Sequence, residues 1–183
     1  MERELKIALS RMPQRPLHLR AELIWAEHDG VGVTVSTVRL HTELDASTLT
    51  FTVTSYVPDG GAKDNIILIT SDCESSEAKR LSECGYAVFA LRADDIVSVG
   101  ESVKTGYEKA FIRGRAAREA KKAAILTWAA LRVAEYVRTL HGLSEDIIVC
   151  DTVTDGVATS ITECCDTSVR VMHPDEYAAF VNV

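Results

Sequence analysis

A mixed α/β fold is predicted by three observations. Residues 48–57 alternate Thr48, Thr50, Thr52 and Thr54 with Leu49, Phe51 and Val53, the period-two mark of a strand with one buried and one polar face. Later apolar runs such as NIILIT and DIIVC are continuous rather than alternating, which suits strands covered on both faces by helical crossovers. Residues 64–100 and 145–181 also superpose without a gap at an offset of 81, matching at Ile66/Ile147, Ile67/Ile148, Cys84/Cys165, Val88/Val169 and Asp94/Asp175.

In order along the chain, residues 1–12 read as a short amphipathic helix, ended by Pro13 and Pro16. LRAELIWAE (19–27) turns at His28-Asp29-Gly30 into VGVTVSTVRLHT (31–42), and Asp45-Ala46-Ser47 leads into TLTFTVTSYV (48–57). The Asp-Gly step marks a hairpin because glycine accepts positive φ cheaply. Residues 1–57 are thus an N-terminal helix and antiparallel β-meander. The link PDGGAKD (58–64) reaches at most about 25 Å, which places a fourth strand beside the third. Each of the segments 64–100 and 145–181 reads as strand, helix, strand and short helix: two βαβ-like units. A long helix, residues 102–141, joins them, with Gly106 and Gly114 as points of bending or division and Gly142 as its stop. The expected architecture is one domain over 1–183, a two- or three-layer sandwich. The long helix, carrying Tyr107, Phe111, Ile125, Trp128, Leu131 and Val137, has more apolar surface than a small sheet covers, so a homodimer through it is expected.

Composition narrows the function classes. A chain of 183 residues with 46% hydrophobic and 26% charged residues can bury one good core. No apolar run approaches the roughly 20 residues of a membrane span, and the first residues, MERELKIALSRM, lack a secretory apolar core; a cytoplasmic protein without membrane partners is expected. Five cysteines without a C-x-x-C pair fit reduced, mostly buried thiols. The net charge of −7 argues against wholesale coating of nucleic acid. Residues 109–122, however, hold Lys109, Arg113, Arg115, Arg118, Lys121 and Lys122 against Glu119 alone, a local +5 that leaves −12 elsewhere. That stripe is either a phosphate-gripping surface or the wet face of a helix.

Chemistry in an open α/β sheet sits outside the carboxyl ends of its parallel strands. The loops expected there are Thr70-Ser71-Asp72-Cys73-Glu74-Ser75-Ser76 and Asp151-Thr152-Val153-Thr154-Asp155-Gly156. Asp72 and Asp151 are the candidate catalytic pair, sharing Mg²⁺ or Mn²⁺ with help from Asp155, Asp29 or Glu27. Ser71, Ser75, Arg113, Arg115 and Arg118 are the candidate substrate-binding residues. The serines and aspartates serve equally as helix N-caps. No G-x-x-x-x-G-K, G-x-G-x-x-G, G-x-S-x-G or H-E-x-x-H is present, so no nucleotide cofactor is expected.

The stretch IWAEHDGVGVTVSTV (24–38) resembles the opening of RNase H-like nucleases, particularly the resolvase-like branch. The resemblance implies that Glu27 or Asp29 is a first metal-binding acid, Asp72 a second, and Asp151 or Asp155 a third. LITSDCESSEAKRLSECGYAV (68–88) is similar to the late strand–helix–strand of PIN-type RNases. The expected function is a divalent-metal-dependent nuclease or phosphodiesterase with nucleic acid as partner. Its alternative is a non-catalytic module for a small anion or for protein assembly.

Overall fold

The computed structural model describes residues 19–44, 47–71, 76–93, 115–152, 169–172 and 174–181. Seven strands form one sheet: β1 (Leu19–His28), β2 (Val33–Leu44), β3 (Ser47–Pro58), β4 (Asn65–Thr70), β5 (Ala87–Arg92), β6 (Ile147–Asp151) and β7 (Val169–Met172). Three helices accompany them: α1 (Ser76–Glu83), α2 (Arg115–Thr139) and α3 (Pro174–Val181). The spatial order is β1-β2-β3-β5-β4-β6-β7. Strands β1, β2, β3 and β5 pair antiparallel, whereas β5, β4, β6 and β7 run parallel.

The mixed α/β prediction holds at this coarse level. The meander is present, and Phe51 and Val53 are buried while Thr50, Thr52 and Thr54 are only partly so, as alternation requires. Strands β4 and β5 pair side by side in parallel with α1 between them in sequence. Strands β6 and β7 also pair in parallel, but the segment linking them lies outside the described residues. Of the helix predicted over 102–141, Arg115–Thr139 is described, and Gly106 and Gly114 lie outside the described residues. Gly142 follows at φ +84°, a conformation that favours glycine.

One expectation is corrected by topology. Strand β4 does not lie beside β3; β5 is inserted between them. The link after β3 has no strand to run back along, because β3 is antiparallel to β5 and β5 is parallel to β4. The chain therefore leaves β3 at the end where β4 begins. Two strand spacings of about 4.8 Å separate them, well within reach of the short turn.

Strand β4 explains the layering. All six of its residues are buried. Ile67 and Ile69 join Phe51, Phe89, Leu91, Val149 and the apolar side of α2 in one core. Ile66 and Leu68 join Val88, Ile148, Ala78 and Leu81 of α1, and Tyr177 of α3, in the other. Helices thus cover both faces. Helix α2 is buried at every position from Ala123 to Ala130, as helices that are apolar all round require. Its alanines let it approach the sheet closely. Ile125, Trp128 and Val137, offered above as a dimer face, are buried within the chain itself. Arg132 is buried on α2 too, with its guanidinium 5.4 Å from the Trp128 ring and 3.0 Å from Glu135.

Phe89 is the test of this packing. It is fully buried between β5's neighbours and α2, and its truncation leaves a cavity that a strand flanked on both sides cannot close. Phe89→Ala should lower unfolding free energy by about 3–5 kcal/mol in urea titration; a loss below about 1 kcal/mol would mean that this face is loosely packed.

Candidate functional site

The sheet contains one topological switch point. From β4 the chain passes to β5 on one side, and from β6 to β7 on the other. Diverging connections open a crevice outside the carboxyl ends of the two adjacent strands, the usual ligand position in such sheets. Strands β4 and β6 are directly paired, Ile69 opposite Asp151. The strand ends at this switch point are Thr70 and Asp151, both buried, with Ser71 exposed just beyond Thr70.

Thr152 ties the two strand ends together. Its backbone N–H donates to the Ile69 carbonyl at 3.1 Å, and its Oγ1 donates to the same oxygen at 2.8 Å. The double contact continues the β4–β6 ladder one residue beyond the strand and commits the Thr152 hydroxyl. Cys150, one residue before Asp151, is buried; desolvation, then the Glu77 carboxylate, push its thiol up to about 12. It is thus a protonated, unreactive thiol at neutral pH. Glu77 lies in the first turn of α1. Burial first, and then Glu77, raise the Tyr177 phenol well above its ordinary value. Cys84, the other thiol among the described residues, is exposed.

The predicted site residues fall in four groups. Ser71 and Asp151 stand at the ends of adjacent strands. Asp72, Ser75, Asp155 and Arg113 lie outside the described residues, and Arg115 and Arg118 belong to the first turns of α2. Glu27 and Asp29 lie elsewhere. Strand β1 runs antiparallel to β4, β5 and β6, so its carboxyl end is at their amino ends. It is also five positions from β6, about 24 Å at the usual spacing. Neither acid reaches Asp151 through one cation, whose ligands sit within about 2.6 Å. Among the described residues, no three His, Cys, Asp or Glu side chains gather to hold a metal.

What Glu27-His28-Asp29-Gly30 does instead is build a turn. Asp29 Oδ1 accepts from the N–H groups of Val31 at 2.9 Å and Val33 at 3.1 Å, and these bonds, the Val31 one foremost, lower its pKa. His28 Nε2 pairs with Asp59 Oδ2, while Thr34 donates to Asp59 Oδ1 at 3.0 Å. The clasp fastens the hairpin to the end of β3.

Comparison with known proteins places the sheet. No family model matches the chain, and no curated protein matches it. Among solved structures, it is similar to a glucuronoyl esterase from Solibacter usitatus, at 12% identity and a TM-score of 0.57 over 89% of this chain and 53% of that one. A CE15 esterase from a marine bacterial metagenome gives 9% identity and a TM-score of 0.60 over 91% and 55%. A Bacteroides fragilis structure described as an acetyl xylan esterase candidate gives 14% and 0.57 over 92% and 50%. At these identities the likeness shows the fold alone, an α/β-hydrolase fold. The chain spans about half the length of these proteins.

This likeness overturns the RNase H-like and PIN-type resemblances and, with them, the nuclease, phosphodiesterase and metal-binding readings. The 15-residue resemblance lay in a hairpin whose Asp29 holds a turn. The signal in the sequence that could have pointed to this fold was the apolar run IIVCD followed by a hydroxyl-rich stretch and then the run VRVM. No helix of the described residues is long and apolar enough to cross a membrane.

The hairpin clasp gives a pH prediction. His28 has its pKa raised above 6.5, first by the hydrogen bond with Asp59 and then by its charge, and Asp59 has its pKa lowered below 3.8 by the same bond. The histidine contribution is complete below its unfolded pKa near 6.5 and disappears as pH rises through the higher folded value. The aspartate contribution is complete above its unfolded value and disappears as pH falls through the lower folded one. Titration of the His28 ring by NMR should show a midpoint above 6.5 in the native protein and a return toward 6.5 in Asp59→Asn; an unchanged midpoint would exclude the clasp.

Proposed function

We propose that this protein is an ester hydrolase that takes an esterified saccharide in the crevice outside β4 and β6. The observation that carries this reading is the switch point itself, in a sheet shared with proteins described as glucuronoyl and acetyl xylan esterases. In α/β-hydrolases the nucleophile stands on the tight turn from a strand into a helix, usually as G-x-S-x-G. The residues from the end of β6 onward read Asp151-Thr152-Val153-Thr154-Asp155-Gly156. Aligning Gly156 with the closing glycine sets Thr154 in the nucleophile's place. Its hydroxyl attacks the ester carbonyl, the alcohol leaves, and water releases the acid. His173, the next residue in the chain after β7, is the candidate base.

A second reading, retention of the ester without turnover, is favoured by one feature. Counting from the strand end, with Asp151 in the first glycine's place, Val153 takes the nucleophile position, and the neighbouring Thr152 hydroxyl is already committed to Ile69.

Hydrolysis of p-nitrophenyl acetate and of a benzyl glucuronate ester separates the two. Turnover that falls at least about 100-fold in Thr154→Ala, against less than about threefold in Thr152→Val, is expected for the hydrolase. Saturable binding of the glucuronate ester without turnover would support the second reading, and neither binding nor turnover would overturn both. Thr152→Val carries its own expectation: loss of one hydrogen bond lowers unfolding free energy by about 1 kcal/mol, measured by urea titration.

A further inference from the structure

Strand β1 is long, exposed and bounded by β2 on one side only among the described residues. Leu23, Ile24 and Trp25 at its middle are 63%, 43% and 44% exposed. An exposed apolar edge of this length is a template for another strand. The occupant is indicated by the strand's own charge order and by one irregularity. Pairing with β2 runs Leu19↔Thr42 to Leu23↔Val38, skips Ile24, and resumes at Trp25↔Thr37. Ile24 is thus an inserted residue, a bulge.

The insertion changes which side chains share a face. Residues 20 and 27 are seven apart, so in a regular strand they would point to opposite faces. Here Arg20 lies opposite His41 and Glu27 opposite Val35. His41 and Val35 are six apart on β2, so Arg20 and Glu27 share a face.

We propose that β1 pairs antiparallel with β1 of a second copy of this chain, about a twofold axis between Leu23 and Ile24, joining the two sheets edge to edge. In that register Arg20 of each copy meets Glu27 of the other, Ala21 meets Ala26, Glu22 meets Trp25, and Leu23 meets Ile24. Every pair beyond the bulge comes from one face. Moving the register by one residue sets residues of opposite faces against each other, Arg20 against His28 for example. Moving it by two sets Glu22 against Glu27, and parallel pairing sets like charges together. The two symmetric Arg20–Glu27 pairs thus select one register from several, the role opposite-charge cross-strand pairs play in sheets. The exposed Leu23, Ile24 and Trp25 become the centre of the interface rather than a loose apolar edge, and an isologous contact of this kind closes at two copies.

Sedimentation velocity on the full chain, at several micromolar concentrations and moderate salt, tests this. A species of about 40 kDa, twice the 20.0 kDa chain, is expected for a closed pair. Arg20→Glu and Glu27→Arg should each weaken association at least about tenfold, because each places like charges at both symmetric contacts. The doubly reversed protein, R20E with E27R, should return to near the parent affinity. Circular dichroism on each variant shows whether the fold is kept. Ile24→Pro, which alters the edge without touching either core, should give a folded monomer. A monomer at all concentrations would overturn the proposal and leave the edge to residues 1–18 or to a different protein. A dimer indifferent to both single reversals, or one that the double reversal does not restore, would assign association to another face.

Discussion

Strand β4 is the constraint on which the rest of the structure depends. Six consecutive residues, Asn65–Thr70, are buried, and a strand cannot bury both faces without helices on both sides of its sheet. Ile67 and Ile69 call for α2; Ile66 and Leu68 call for α1 and α3. The main-chain groups are met on both edges, by β5 and β6. Asn65 secures the strand's entry, donating through Nδ2 to the carbonyls of Ser144 and Asp146 ahead of β6. Those partners satisfy the Nδ2 of this fully buried side chain, whereas its buried Oδ1 accepts no hydrogen bond from the described residues.

The same strand defines the crevice. Strand β4 is followed in the chain by β5 on one side, its neighbour β6 by β7 on the other, and such a switch point at the ends marked by Thr70 and Asp151 is the usual ligand position in parallel sheets. Thr152 ties those ends together by bonding twice to Ile69. The antiparallel half of the sheet stands apart from the crevice and carries the clasped hairpin and the bulged edge strand.

Local pattern in the sequence was enough for strands and helices but not for their order. Threonine alternation in β3 and the unbroken Ile/Val/Leu runs of β4 and β6 are direct consequences of how many faces each strand buries, so they were legible. Gly142, just beyond the end of α2 at φ +84°, was legible for a comparable reason, since glycine costs about 1 kcal/mol inside a helix and little beyond its end. The insertion of β5 between β3 and β4 was not legible. Nothing in the residues of β3 says which strand will hydrogen-bond to its second edge, because main-chain bonds are the same for every sequence. The acids of the first hairpin misled for a related reason: Asp29 at a turn looks like a metal ligand until its partners are known to be the amides of Val31 and Val33. The strand ends bearing Ser71 and Asp151 were legible through the rule for parallel strands, whereas the bulge at Ile24 left no mark on composition or period.

The central claim is that ligand chemistry takes place at the β4–β6 crevice. Its most direct test is amide chemical-shift mapping of the isotopically labelled full chain during titration with a benzyl glucuronate ester. The account predicts saturable shifts concentrated at Thr70, Ser71, Asp151 and Thr152, with the hairpin of Glu27, His28 and Asp29 unmoved. Shifts confined to that hairpin, or to the amino ends of β4 and β6, would contradict it.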